Sequence, residues 1–184
     1  MIRTLLFAVA GIVLGAIIHI AVILALPSLG SNHVWEQLTA MGADKGAVVL
    51  PQLVPGAPNP LRLDPELVYA ACQLDLSKGP GTVSATLPQT FWSITVYNRA
   101  GTVIYSTTNR DGIGNKLDLG LFDAAQTRLL AEQKFDVAEG LLIVEAQQDD
   151  VQVIIRVAPP QPENRTRYVK ALSTLTCTNI AGQG

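Results

Sequence analysis

Lys78-Gly79-Pro80-Gly81, inside the run "CQLDLSKGPGTVSATLP", is the stretch of this 184-residue chain with the most obvious chemical potential, because glycines beside a lysine can cradle phosphate. A phosphate loop needs its lysine after the glycines and a helix next, so that backbone N–H groups and the ammonium converge on one anion. Here Lys78 comes first, Pro80 removes an N–H, and an alternating segment follows. The stretch therefore reads as a turn, a hairpin connection between two strands. Ser77 and Lys78 do not form a dyad in extended chain, where neighbouring side chains point to opposite faces.

Histidine is nearly absent. His19 and His33 are the only two, both N-terminal, so the rest of the chain lacks the imidazole that triads, zinc helices and most acid–base schemes require. Two cysteines are too few for a structural zinc site. No catalytic set, metal or cofactor is expected. Carboxylates remain as candidates, since Asp64, Asp75, Asp111 and Asp118 lie near expected strand ends or loops, where turn and cap roles are the ordinary explanation. Tyr69, Asp75 and Arg110, gathered at one end of a sheet, would form a ligand-binding or carboxylate-dependent catalytic site. An arginine beside a carboxylate is more often a structural ion pair.

The elements that would carry these groups begin with a membrane segment. "LLFAVAGIVLGAIIHIAVILAL", Leu5 to Leu26, is 22 residues without a formal charge, and a bilayer core needs roughly 20 residues of helix. Pro27 is expected to end that helix. The small residues Ser28-Leu29-Gly30 allow a signal-peptide alternative cut before Ser31, but a secretory apolar core runs only about 7 to 15 residues, which favours an uncleaved anchor. Arg3 precedes the span and no lysine or arginine follows it until Lys45, so the positive-inside rule exports the remainder. Beyond Arg3 the chain holds 12 basic and 15 acidic residues, a net charge of −3, which gives no reason to expect nucleic-acid binding. Within the span Gly11, Gly15 and His19 recur every four residues, a face on which a second helix could pack closely and share a hydrogen bond. That helix would be its own copy or a second protein. Cys72 and Cys177 both lie in the exported part, as a disulfide or as two buried thiols.

Residues 1–27 are thus an anchor and 28–66 a juxtamembrane segment, irregular apart from a short helix over 33–41 that carries Trp35 and Leu38 and ending in a proline-rich spacer. Residues 67–184 are a β-rich domain. "LVYAACQLDL", "TVSATL", "FWSITVYN" and "TVIYSTTN" are bounded by turn residues and read as adjacent antiparallel strands, with Trp92, Ile94 and Val96 on the core face. Asn98 to Gly101 fits a type I turn with a glycine bulge. A helix is expected over 121–134, a hairpin through Gln148-Asp149-Asp150, and a last helix over 164–177 whose threonine-rich end could instead be a strand. The fold class is α+β and β-rich, an antiparallel sandwich-like sheet domain with one or two flanking helices behind one transmembrane helix.

Asp64 to Gly114 resembles a bacterial family of domains of unknown function, number twelve fifty-four, through "DPELVYAACQLDLSKGP", "LP", "FWSITVYN" and "STTNRDGIG". Tyr69, Leu74, Asp75, Pro80, Trp92, Arg110 and Gly112 are the corresponding positions, and Asn98 replaces the usual acid. Relatives often carry a second domain, of family twelve fourteen, or meet it as a separate small membrane protein, so the resemblance implies a transmembrane partner of that type. It implies no activity. The chain is expected to be a cell-membrane protein with a periplasmic domain that serves as a binding or assembly module, the alternative being a small-ligand carrier or envelope enzyme.

Overall fold

The computed structural model describes residues 2–110, 115–132 and 140–180. One helix, α1 (Ile2–Ala40), precedes the β-rich part. Its stretch Ile2–Leu26 is the one described segment long and apolar enough to cross a membrane, and none of it is buried in the domain. Pro27 does not end the helix, contrary to expectation. A proline costs one backbone hydrogen bond, but the turns beyond it are fastened elsewhere. The Gln73 side chain donates from Nε2 to the Trp35 carbonyl (2.9 Å), and the Thr39 hydroxyl lies 2.8 Å from Gln73 Oε1. The Gln73 amide N–H donates to the Ala43 carbonyl at 2.7 Å.

Among the described residues nine strands make two sheets: β1 (Val48–Val49), β2 (Val68–Asp75), β3 (Gly81–Thr86), β4 (Trp92–Asn98), β5 (Val103–Thr108), β6 (Lys116–Asp123), β7 (Leu142–Ala146), β8 (Asp150–Val157) and β9 (Thr176–Asn179). The first sheet runs β1-β2-β8-β4-β5, antiparallel throughout. The second runs β7-β6-β3-β9, with β6 and β7 parallel and its other pairs antiparallel. Inner faces meet in one core, which takes Cys72, Leu74, Trp92, Ile94 and Ile155 from the first sheet and Val83, Leu119 and Leu121 from the second. The expected α+β sandwich with flanking helices is what forms, and a disulfide between Cys72 and Cys177 joins the two sheets across it.

β2 is buried on both faces. Val68, Ala70, Cys72 and Leu74 face the central core, while Tyr69 and Ala71 pack under Leu38, Ala43 and Leu50 in a second cluster. Burial on both sides explains why this strand reads as a nearly continuous apolar run rather than an alternation. It also shows that residues 28–66 are no free spacer, since α1 reaches Ala40 and β1 pairs with β2.

Two local expectations are corrected by the sheet order. The Ser77–Gly81 turn is not a hairpin, because β2 and β3 belong to different sheets. Asp75 Oδ1 caps a 3-10 turn over Leu76–Lys78 by accepting from the Ser77 amide (3.1 Å), and the chain then crosses the sandwich. Gly79 has φ 126°, and a Cβ on Gly81 would lie 2.8 Å from Leu74 Cδ1. The glycines serve backbone geometry and close packing, not an anion. Likewise 142–157 is no hairpin, since β7 edges the second sheet while β8 sits between β2 and β4. A strand carrying Val151, Val153, Ile155 and Val157 toward the core gains more burial at the centre of a sheet than beside an edge strand.

The expected helix over 121–134 begins late. Leu121 and Phe122 belong to β6, which ends at Asp123, and α2 covers Ala124–Glu132. Asp123 Oδ1 accepts from the amides of Ala125 (2.7 Å) and Gln126 (2.8 Å), and Gln126 Oε1 accepts from the Asp123 amide (3.0 Å). This reciprocal capping box fixes the boundary. Residues 133 and 134 lie outside the described part. The C-terminal reading resolves into both of its branches, α3 (Arg165–Leu172) followed by β9. The β4–β5 turn forms as expected, with Gly101 at φ 80° and the Thr102 amide donating to Asn98 Oδ1 at 2.8 Å.

Candidate functional site

The outer face of the first sheet is a concave surface roofed by the end of α1 and by residues 50–67. Between roof and sheet lies a cleft of about 480 Å³, within the roughly 300–1,000 Å³ that small-molecule sites occupy. Its floor is set by strand alternation: Gln152, Ile154 and Arg156 share the outward face of β8, with Tyr69 and Tyr97 on the strands either side. Its walls are apolar, formed by Leu38, Leu50, Leu61, Leu63 and Leu67.

The loop at the rim is held rigidly. Asn59 brackets it, Nδ2 donating to the Leu63 carbonyl and Oδ1 accepting from the Leu63 amide, both at 2.8 Å. Arg62 sits at φ 50°, the single non-glycine at positive φ among the described residues. That conformation costs an ordinary side chain about 1–2 kcal/mol, and it places Arg62 on the cleft's lip between Leu61 and Leu63. The Asp64 amide donates to the Tyr69 hydroxyl oxygen at 3.1 Å, which leaves the phenolic proton free to donate.

Arg156 is half-buried, and one guanidinium nitrogen donates to the Tyr97 hydroxyl at 3.0 Å. No carboxylate pairs with it among the described residues; the three ion pairs there are Lys78–Asp75, Arg99–Asp150 and Lys116–Asp118. Gln152 is only 5% exposed, and its Oε1 has no hydrogen-bond partner. An unsatisfied buried oxygen of this kind is costly in a folded chain, and Gln152 lines the same cavity as Arg156.

Of the three residues expected to gather, only Tyr69 lines this cleft. Asp75 stands six residues further along β2, about 20 Å away at strand rise, where Lys78 pairs with it at 3.1 Å. Hydrogen bonding from the Ser77 hydroxyl, then from Lys78, holds the Asp75 carboxyl below the ordinary carboxylate range. Arg110 follows β5, three strand spacings or about 14 Å from β2. The proposed Tyr69–Asp75–Arg110 site is therefore not assembled. Asp64 reaches the cleft rim, but its carboxylate accepts from the Glu66 amide at 2.8 Å as a turn residue. Asp118 pairs with Lys116 at 2.9 Å, which lowers its pKa, and Asp111 lies outside the described residues. Gly11 and Gly15 have open space where a Cβ would stand, on a helix exposed along its span, and His19 is one turn beyond Gly15. Arg62, Tyr97, Gln152 and Arg156 were missed. The one available signal was the pair of polar residues at alternate positions in "VQVIIRV", on the face opposite its valines.

No family model matches the chain, and no curated protein does. The resemblance of Asp64–Gly114 to family twelve fifty-four rests on its motifs alone. Among solved structures the chain is similar to the VPA0106 protein of Vibrio parahaemolyticus, with a TM-score of 0.50 and 10% identity over 64% of this chain. It is also similar to an uncharacterised protein of Burkholderia cenocepacia, at a TM-score of 0.44 and 12% identity over 76% of this chain. The chain covers 28% of the Vibrio protein and 36% of the Burkholderia one. At this identity the Vibrio match establishes the fold and nothing further: these residues form a β-rich α+β unit of a kind also found inside a longer bacterial protein.

Proposed function

We propose that this chain is a single-pass protein of the bacterial cell membrane whose β domain stands on the periplasmic side and binds a small ligand in the cleft beneath α1. The observation that carries the reading is the convergence of an unneutralised Arg156, an unpartnered Gln152 Oε1 and a free Tyr69 hydroxyl proton inside a largely apolar cavity. Few polar groups fixed among apolar walls are the hallmark of a ligand site. Binding is favoured over catalysis because no imidazole or free thiol lies in the domain and its perturbed carboxylates are surface ion pairs. The charge asymmetry about the span and the inter-sheet disulfide support the exported orientation.

Native mass spectrometry of the full chain released from membranes tests this. A small-molecule adduct is expected on the parent chain and not on an Ile154→Trp variant, whose indole fills the cleft. Equal adducts, or none on the parent, would count against a ligand site there.

A second role rests on a separate observation. Gly11 and Gly15, four residues apart, put small side chains on one face of the span, a spacing that supports the close packing of a transmembrane partner, either another copy or a protein with a twelve-fourteen-type domain. The partial coverage of the Vibrio chain fits a protein that works beside a further domain.

A further inference from the structure

We propose that the ligand of the cleft is a single-chain anionic amphiphile, an alkyl chain ending in a carboxylate or phosphate, taken from the outer leaflet of the bilayer in which α1 stands. The inference rests on the cleft being a ligand site and specifies what enters it.

The polar groups select charge. Arg156 offers five N–H donors, of which one is assigned to Tyr97. Arg62 stands at the rim in a strained backbone conformation maintained by the Asn59 bracket, and strain retained in this way is characteristic of positions with a binding role. Tyr69 retains a donor proton, and Tyr97 retains another because its oxygen accepts from Arg156. The one carboxylate lining the cleft, Asp64, accepts from the Glu66 amide through Oδ1 and makes no ion pair with Arg62 or Arg156 among the described residues. The Arg156 guanidinium and two phenolic donors therefore line a cleft with Arg62 at its lip and Asp64 as its one carboxylate, and a carboxylate or phosphate oxygen is the complement that forms short, charge-assisted bonds with these donors. The buried Gln152 Oε1 beside them is an acceptor, so it would take a bond only from a hydroxyl of the head, such as the P–OH of a monoanionic phosphate.

The walls select a chain. Leu38, Leu50, Leu61, Leu63, Leu67 and Ile154 offer nothing to a bare inorganic anion, but each methylene buried against them contributes about 0.8 kcal/mol. Sugars and nucleotides, polar over most of their surface, would lose hydration there without replacement.

The helix indicates the source. Val34 lines the cleft, and it lies eight residue steps along continuous helix from Leu26, the end of the apolar stretch. At 1.5 Å per residue that is about 12 Å. The polar layer of a bilayer extends about 5–8 Å beyond the hydrocarbon on each side. The cleft mouth thus stands just above the headgroups, where a single-chain amphiphile needs little travel to reach it.

The test uses the full chain in phosphatidylcholine nanodiscs with a photoactivatable diazirine dodecanoate, mapping crosslinks by mass spectrometry. Crosslinks are expected on residues 50–67 and 150–157, displaced by dodecanoate and by dodecyl phosphate but not by dodecanol, acetate or inorganic phosphate. Arg156→Gln should weaken labelling there about tenfold or more, the loss expected for a hydrogen-bonded charge, while Arg156→Lys recovers part of it. An unchanged Trp92 emission confirms that the variant folds; should it not fold, the competition profile of the parent chain decides. Equal displacement by dodecanol would overturn the anionic assignment while leaving the cleft as a ligand site. Displacement by acetate or phosphate alone would overturn the amphiphile. Label confined to the α1 span would overturn both this assignment and the ligand reading of the cleft, unless the native adduct described above persists, in which case only the ligand class fails.

Discussion

Reducing the Cys72–Cys177 bridge should weaken the sandwich by several kcal/mol without changing its shape. The two cysteines are 105 residues apart in sequence, so the intact bond removes a large share of the unfolded chain's freedom. By the chain-entropy relation a loop of this length is worth about 4.7 kcal/mol, within the roughly 2–5 kcal/mol seen when native disulfides are lost. Their Cα atoms are 6.5 Å apart, one on a strand of each sheet, and the core around them, including Ile94 and Val153, stays packed by contacts that do not need the bond. Trp92, 1% exposed in that core, is the natural reporter once Trp35, the other tryptophan, is replaced by Phe, whereas the span of α1 adds a helical signal insensitive to the domain's state. For an m-value of about 2 kcal/mol per molar urea, the Trp92 transition should move down by roughly 2 M in Cys72→Ala/Cys177→Ala or under reductant. The folded baseline should not change. A midpoint unmoved by reductant, or two thiols alkylated in unreduced protein, would refute the reasoning.

Other expectations follow from single contacts. Ile155→Ala, at a fully buried position, should cost about 2–5 kcal/mol in the same urea titration. Asp123→Ala removes the acceptor for two helix amides at 2.7 and 2.8 Å and should cost about 0.5–2 kcal/mol, with faster amide exchange in the first turn of α2. Asp75 and Asp118 have folded pKa values below the ordinary 3.8, chiefly through the Ser77 hydroxyl and the Lys116 ammonium respectively. Their contribution to stability is therefore complete above that value and is lost as pH falls below it through the depressed folded values; acid titrations of Asp75→Asn and Asp118→Asn should show a shallower loss in that window. Gln73→Leu removes the amide that grips Trp35 and Thr39 and should expose residues 34–47 to limited proteolysis while the Trp92 signal persists.

Periodicity made the strands legible where one face of a strand meets the core. Trp92, Ile94 and Val96 alternate with half-polar neighbours, and β4 forms where the pattern places it. The pattern weakens where both faces are covered or where a strand runs directly into a helix. Leu121 and Phe122 satisfy a helical stripe and a strand end equally well, and only the Asp123–Gln126 capping box separates them. A box of this kind is readable from sequence, so that boundary was available and was missed. The candidate site was hardly legible at all. Tyr69 was named for its place in a motif, while Arg156 and Gln152 look like routine polar interruptions of an apolar strand until the roof that covers them is known.

What the linear chain determined by itself is its division into a 22-residue uncharged stretch and a histidine-poor, alternating remainder. Hydrophobic length and side-chain period are local properties, fixed over a few consecutive residues. Which strand lies beside which was decided only in three dimensions. β8 enters the first sheet between β2 and β4 because it can bury four apolar side chains there, and that choice depends on surfaces contributed by residues more than fifty positions away. The same choice sets Arg156 and Gln152 beneath α1, so the cleft exists only once distant segments have closed over one another.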